Sequence, residues 1–290
     1  MGDARRFPSK LSLALWFATA VFGYCGELMT PAGAAALDVP TPYIPSTALN
    51  VDEMLRLARV RPGDIVYDLG SGDGRVVIAA ARDWGARGVG IEIDADLVAR
   101  SRERARRAGV ADRVDFRAGD VFAADVREAT VVTMYLLASL VHRLQPKLLA
   151  ELKPGTRIVA HDYGFADWKP DRHVQVSKNF YLYIVPARVA GKWRVSAALP
   201  TGTRDYEVDF EQRYQEVSGG ARVAGGFLPA FDAQVSGERI AFVLVEDEMS
   251  YRYAGRVAGG SMDGLVRWGY GTQQKESTWR ARRTGAASGG

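Results

Sequence analysis

Ile65-Val66-Tyr67-Asp68-Leu69-Gly70-Ser71-Gly72-Asp73-Gly74-Arg75 is the stretch that decides the fold. Five mostly apolar residues suit a buried strand, three glycines follow at alternate positions, and residues 75–84 then carry apolar side chains at helical spacing. Glycine belongs in such a turn because the chain must take positive φ and because a Cβ would collide with a ligand lying over it. A dinucleotide loop asks for G-x-G-x-x-G. Counted from Gly70, its third glycine would fall on Arg75, so the spacing speaks against a dinucleotide. The bland alternative is a tight turn that only joins strand to helix.

Working outward, apolar runs at 65–69, 88–93, 114–118, 130–134 and 157–160 alternate with helical patterns at 75–84, 96–108 and 139–152. Strands separated by helices imply right-handed crossovers and a parallel sheet covered on both faces, a doubly wound Rossmann-like α/β domain. Upstream, the three prolines of residues 38–47 make a loop. A helix is expected over 50–60, with Asn50 and Glu53 as its cap pair. Residues 180–186 and 192–198 read as a hairpin closing the sheet. Short alternating strands then run through 205–283, broken by Gly219-Gly220, Gly225-Gly226, Ser236-Gly237 and Gly259-Gly260, the pattern of a small antiparallel β barrel or sandwich. Trp268 and Trp279 belong to its core. The expected organisation is a targeting segment at 1–36, the α/β domain at 37–200, the β domain at 201–283 and a disordered tail at 284–290.

Residues 1–36 carry Arg5, Arg6 and Lys10, then fifteen uncharged residues over 11–25, then a small-residue run ending Ala34-Ala35-Ala36. That is the layout of an export signal cleaved before Leu37, or of a retained membrane anchor, which sends the chain to the periplasm or to a membrane surface. The lone cysteine, Cys25, lies in this segment, which excludes a disulfide and thiolate chemistry elsewhere. Three scattered histidines give no metal-ligand spacing. The net charge of +4 is a mild excess spread along the chain, and the densest basic run, residues 100–107, reads as a solvated helix face. No basic stripe interleaved with aromatics marks a nucleic-acid partner.

Glu92 ends a strand eighteen residues past Gly74, where an acid can accept hydrogen bonds from both hydroxyls of a ribose. Asp94 is placed to cap the next helix. Gly119-Asp120-Val121-Phe122 follows the third strand. Asp120 there accepts from an adenine amino group, with Val121 or Phe122 over the ring, or it simply makes an Asp-containing turn.

Together the D-x-G-x-G-x-G turn, the strand-end Glu92 and Gly119-Asp120 resemble the class I S-adenosylmethionine-dependent methyltransferases, over about residues 48–198. Within that class, Pro42-Tyr43-Ile44-Pro45, Arg61-Pro62-Gly63-Asp64 and the glycine turn are similar to the small membrane-associated protein lysine methyltransferases, which act on the ring-forming c protein of ATP synthase and on the adenine nucleotide translocase. The added β domain and the N-terminal segment depart from that family. The resemblance implies S-adenosylmethionine as cofactor, held by Asp68, Gly70, Ser71, Gly72, Gly74, Glu92, Asp120 and Val121. It places Tyr43 and Ser46 or Thr47 in a segment closing over it.

The implied acceptor is a protein lysine or, alternatively, a lipid- or quinone-like small molecule, seated over Met134-Tyr135-Leu136. Tyr135 lines the acceptor channel or is a packed aromatic. His161 and Asp162, after the fifth strand, deprotonate or orient the acceptor, or cap a loop. The prolines of the [DNS]-P-P-[YFW] sequence found in methyltransferases of nucleic-acid amino groups are missing from Thr133-Met134-Tyr135-Leu136. A third possibility is an envelope binding protein that keeps the fold without turnover.

Overall fold

β1 (Ile65–Leu69) lies at the centre of a seven-stranded sheet and is buried along nearly its whole length, which its continuous apolar run requires. The computed structural model describes residues 44–199, 202–246, 248–269 and 271–286. Residues 1–36 and Tyr43 lie outside the described residues. Among the described residues no helix is long and apolar enough to cross a membrane.

β2 (Arg87–Glu92), β3 (Val114–Ala118), β4 (Val131–Met134) and β5 (Arg157–His161) join β1 in parallel pairings, and β6 (Arg172–Gln175) and β7 (Asn179–Ile184) complete the order β3-β2-β1-β4-β5-β7-β6. The hairpin that closes this sheet is β6–β7, of which β7 pairs antiparallel with β5. The expected closing arm at 192–198 belongs to the second sheet instead. Alternating burial is identical in either sheet, so periodicity could not tell them apart.

Helices α1 (Ala48–Leu57), α2 (Arg75–Asp83) and α3 (Ala95–Arg107) bury their apolar stripes with one face of the sheet, and α4 (Ala138–Glu151) covers the other. α1 starts earlier than expected. Its cap is Thr47, whose Oγ1 accepts from Asn50 N at 3.2 Å, and not Asn50 itself. Asp94 caps α3 as expected, accepting from the N–H groups of Asp96 and Leu97.

Nine strands follow: β8 (Gly191–Leu199), β9 (Gly202–Arg213), β10 (Glu216–Val223), β11 (Gly226–Pro229), β12 (Phe231–Ser236), β13 (Arg239–Glu246), β14 (Met249–Ala258), β15 (Ser261–Trp268) and β16 (Lys275–Gly285). β16 pairs with β8, and β9 pairs with β10, so eight of them close into an antiparallel barrel with β11 hanging from β10. An eight-stranded barrel is just wide enough to fill with side chains. Here stacked Phe242 and Tyr253, centroids 4.7 Å apart, meet Trp279 edge-on, and Trp193, Tyr206 and Phe210 are also buried.

Three boundaries differ from the sequence expectation. The barrel begins at Gly191 and not after residue 200, and β16 runs through Thr284 to Gly285, residues expected in the tail. Gly219 and Gly220, expected as a break, lie inside β10. A Cβ on Gly219 would collide with the Asp209 carbonyl oxygen, so glycine there serves close backbone approach and not a turn.

The β9–β10 turn rests on the α/β domain. Tyr214, at φ 55°, stacks on Trp168, and its hydroxyl donates to Asp167 Oδ2 at 2.7 Å while accepting from Gln145 Nε2 at 2.7 Å. Gln215 Oε1 accepts from Trp168 Nε1 at 2.8 Å. Tyr214→Phe keeps the ring contact and removes the hydroxyl, so a loss of about 1 kcal/mol is expected in urea unfolding.

Candidate functional site

The loop after β1 is built around two buried carboxylates. Asp68 Oδ1 accepts from Thr133 Oγ1 of β4 at 2.7 Å. Burial pushes the Asp68 carboxyl up to about 7; the Thr133 hydroxyl works against that shift and nearby Glu92 adds to it. Glu92 Oε2 accepts from Gly72 N at 2.8 Å and Oε1 from Asp94 N at 3.0 Å, so this side chain holds the loop against the end of β2. Gly70 N and Ser71 N both donate to Ile91 O.

Gly70, Gly72 and Gly74 have φ of 78°, 53° and 77°, so the positive φ expected of the turn is present at each. The steric reason at Gly74 lies within the protein: a Cβ there would stand 2.6 Å from Phe116 Cε1 and 2.9 Å from Ser101 Cβ. At Gly70 it would meet Leu136 Cδ2 at 2.6 Å. Ser71 Oγ is buried and has no hydrogen-bond partner among the described residues. Two buried carboxylates on a loop with positive-φ glycines fit a ligand rich in hydroxyl and ammonium donors, while the Ser71 hydroxyl lies against Gly90 of β2.

The chain leading into α1 is clasped over this loop. The Arg75 guanidinium donates to Ser46 O and to both oxygens of Asp73, and Arg104 of α3 also donates to Asp73. Ser46 Oγ lies 3.2 Å from His161 Nδ1. The Thr47 side chain is engaged in capping α1, so of the Ser46/Thr47 pair it is Ser46 that faces the strand ends. Asp120 is exposed, and its Oδ1 accepts from Phe122 N at 2.9 Å, which is the Asp-containing turn. Gly119 N bonds to Glu92 O and brings that turn beside the Glu92 strand end. Val121 is half-buried against the α4 side of the sheet.

At the ends of β4 and β5 a second group assembles. Tyr135 stacks on His161 with ring centroids 3.9 Å apart, and His161 stacks in turn on Phe180 at 4.9 Å. Asp162, at φ 64°, accepts on Oδ2 from Tyr135 OH at 3.3 Å and from Lys178 Nζ at 2.8 Å. Burial would raise the Asp162 carboxyl, but the bonds from Lys178 and Asn179 N outweigh it and hold it below the usual range. Burial raises the Tyr135 hydroxyl, with Asp162 adding to the effect. His161 is 1% exposed, and its Nε2 has no partner among the described residues. Burial depresses the imidazole from 6.5 to about 4.

Between those two values the unfolded chain binds the proton that the folded one refuses. The His161 contribution to stability is therefore complete above about pH 6.5 and is lost as pH falls toward 4. His161→Phe, which keeps an aromatic ring between Tyr135 and Phe180, should flatten the fall in Tm across that window relative to the unmodified protein.

Tyr135, His161 and Asp162 thus come together as a unit, and so do Asp68, Ser71, Gly72 and Glu92. Sequence reasoning missed Lys178, which sits in the β6–β7 turn, as well as Arg75 and Thr133. No local pattern marks Lys178. Arg75 directly follows the last glycine of the motif, the one signal that could have singled it out. Among the described residues no group of His, Cys, Asp or Glu could hold a metal ion.

A family model described as the ANTKMT methyltransferase domain matches residues 68–172. The protein-lysine N-methyltransferase of Saccharolobus islandicus is 41% identical over 150 residues, 50% of this chain and 93% of that protein. The adenine nucleotide translocase lysine N-methyltransferase of Mus musculus is 37% identical over 134 residues, 46% of this chain and 58% of its own length. Among solved structures, an RNA methyltransferase from Salinibacter ruber in complex with S-adenosyl-L-homocysteine shares 53% identity, covers 50% of this chain and 96% of that one, and superposes with a TM-score of 0.50.

Proposed function

The chain belongs to the S-adenosylmethionine-dependent protein-lysine N-methyltransferase family, and on that premise we propose that it methylates the side-chain amine of a protein lysine. The observation that carries the acceptor class is the 41% identity over 93% of a protein-lysine N-methyltransferase, and the Tyr135–His161–Asp162 corner, its carboxylate held by Lys178 at 2.8 Å, is where the acceptor amine would be oriented. A cofactor in the cradle would engage Asp68 and the unpartnered Ser71 hydroxyl, with Glu92 at its ribose. When bound it supplies a methyl group on a sulfonium, ready for in-line displacement.

The protein groups orient; they do not act as a strong base. A free lysine amine has a pKa of about 10.4. An imidazole held near 4 would remove its proton at a cost of about 9 kcal/mol. Asp162 is a weaker base still, and Tyr135 keeps its proton. The acceptor therefore arrives neutral, or loses its proton to solvent as it is desolvated, and the aromatic stack and carboxylate fix its direction, a proximity effect worth roughly 7 to 11 kcal/mol.

Asp162→Asn should lower kcat/KM for a protein acceptor by about 10-fold or more while leaving the S-adenosylmethionine Kd unchanged. An equal loss in both would remove Asp162 from the acceptor side. Radiolabelled S-adenosylmethionine incubated with the purified chain and cell extracts tests the acceptor class: label in protein that survives acid hydrolysis as methyllysine supports the reading, and label only in lipid overturns it. RNA as acceptor is a second reading, favoured by the Salinibacter likeness, and label in RNA would establish it. Residues 1–36 are proposed to export or anchor the chain; fusion of residues 1–40 to alkaline phosphatase, active only outside the cytosol, tests this.

A further inference from the structure

The barrel wall formed by β13 to β16 and β8 carries ten basic residues against three acidic ones, whereas β9, β10 and β12 carry three against six. Register then sets arginine directly opposite arginine three times on that wall: Arg239 with Arg256, Arg252 with Arg267, and Arg282 with Arg194. Like charges directly opposed across a sheet are destabilising, and all six side chains are exposed, so no buried contact compensates. One member of each pair has a carboxylate neighbour: Arg256 with Glu238, Arg267 with Glu276, and Arg194 with Glu207 at 4.0 Å. Among the described residues Arg239, Arg252 and Arg282 have none. The row between the Arg239–Arg256 and Arg252–Arg267 pairs holds small side chains, Ala241, Ala254 and Thr278, around a partly exposed Leu265, while Arg282 lies opposite Ser261 on its other side.

We propose that this wall binds the phosphate backbone of a nucleic acid. A polyanion removes the repulsion that the sequence has built in, and arginine is the side chain whose planar fork takes a phosphate through two hydrogen bonds. The row of small residues leaves room for a chain of phosphates laid across the strands. A membrane surface suits it less, because Leu265 is the only large apolar side chain exposed on these strands beside Val245 at the rim of the barrel. The mild net charge of the whole chain conceals the patch, since the opposite wall is acidic. The binding is independent of the methyl acceptor.

The test uses the purified full chain and the variant Arg239→Ala/Arg252→Ala/Arg282→Ala. Fluorescence anisotropy with labelled RNA of about 20 nucleotides, and with duplex DNA of similar length, is read as a function of salt. The unmodified chain should bind at low salt with an affinity that falls steeply as salt rises. The variant should bind at least tenfold more weakly, with a salt slope shallower by about two. Its Tm should be unchanged or higher, because the removed groups repel their neighbours; a purely structural role would lower it. Equal binding by the two proteins, or binding of the unmodified chain to phosphatidylglycerol vesicles but to neither nucleic acid, would overturn the proposal.

Discussion

Asp68→Ala is expected to weaken S-adenosylmethionine binding by about 100-fold or more, roughly 3 kcal/mol, the scale of losing a charge-assisted hydrogen bond in a buried site. The unmodified protein carries a sharper signature. Its Asp68 carboxyl titrates near 7 when the site is empty, so below that pH the group is protonated. An ammonium group brought alongside favours the ionised form, so binding should release a proton. Affinity should then rise up to about tenfold per pH unit until pH 7 and level off above it. Calorimetry in two buffers of different ionisation enthalpy reads the proton directly. Affinity without pH dependence between pH 5 and 8 would detach Asp68 from the cofactor. Thr133→Val removes the hydroxyl that holds the carboxyl down, and should move the inflection to higher pH.

The same shift has a stability consequence of known sign. An acid whose folded pKa lies above its ordinary 3.8 binds its proton more tightly in the folded chain. The empty protein therefore loses stability at Asp68 as pH rises from about 4 through 7. His161 works in the opposite direction over much of that range, so each contribution is read from its own substitution and not from the unmodified protein alone.

Gly74→Val is the substitution expected to damage the fold most. Left-handed backbone costs an L-residue about 1 to 2 kcal/mol, and the Cβ would stand 2.6 Å from the Phe116 ring, which is itself buried beneath α3. Overpacking of this kind costs typically 1 to 3 kcal/mol more. A combined loss of about 2 to 5 kcal/mol, near 10 °C in Tm, is expected in thermal unfolding. Gly109→Ala separates the two causes: its φ is 68°, but nothing lies within 4 Å of an added Cβ. It should show the strain alone, about 1 kcal/mol. Equal losses in the two variants would mean that the contact with Phe116 is unimportant.

Much of the α/β domain was legible because its signals are local. A buried parallel strand is a continuous apolar run, a helix repeats at 3.6 residues, and Asp94 caps the helix it immediately precedes. The glycine turn was legible for the same reason: Asp68, Gly70, Ser71, Gly72 and Gly74 are consecutive or nearly so, and all three glycines take positive φ. Glu92 is different. It was identified by its distance from the loop, and the structure adds that its two oxygens hold the Gly72 and Asp94 amides.

Less was legible where contacts cross between elements. Whether residues 192–198 join the first sheet or the second depends on which edge is free to pair, and alternation is blind to that. Gly219 looked like a turn because proximity to the Asp209 carbonyl is a fact about β9 and not about its own neighbours. Barrel and sandwich were equal in pattern, and the pairings of β16 with β8 and of β9 with β10 decide between them.

By itself the sequence determined the glycine loop after the first strand, the doubly wound α/β class and the presence of a β-rich second half, because each is written in neighbouring residues. Only the tertiary structure decided that the Arg75 guanidinium clasps Ser46 over that loop and that Lys178 meets Asp162 beside Tyr135. It also decided that arginines scattered from Arg194 to Arg282 share one wall. The physical reason is that strand register and crossover direction, not separation along the chain, choose which side chains stand within a few ångströms of one another.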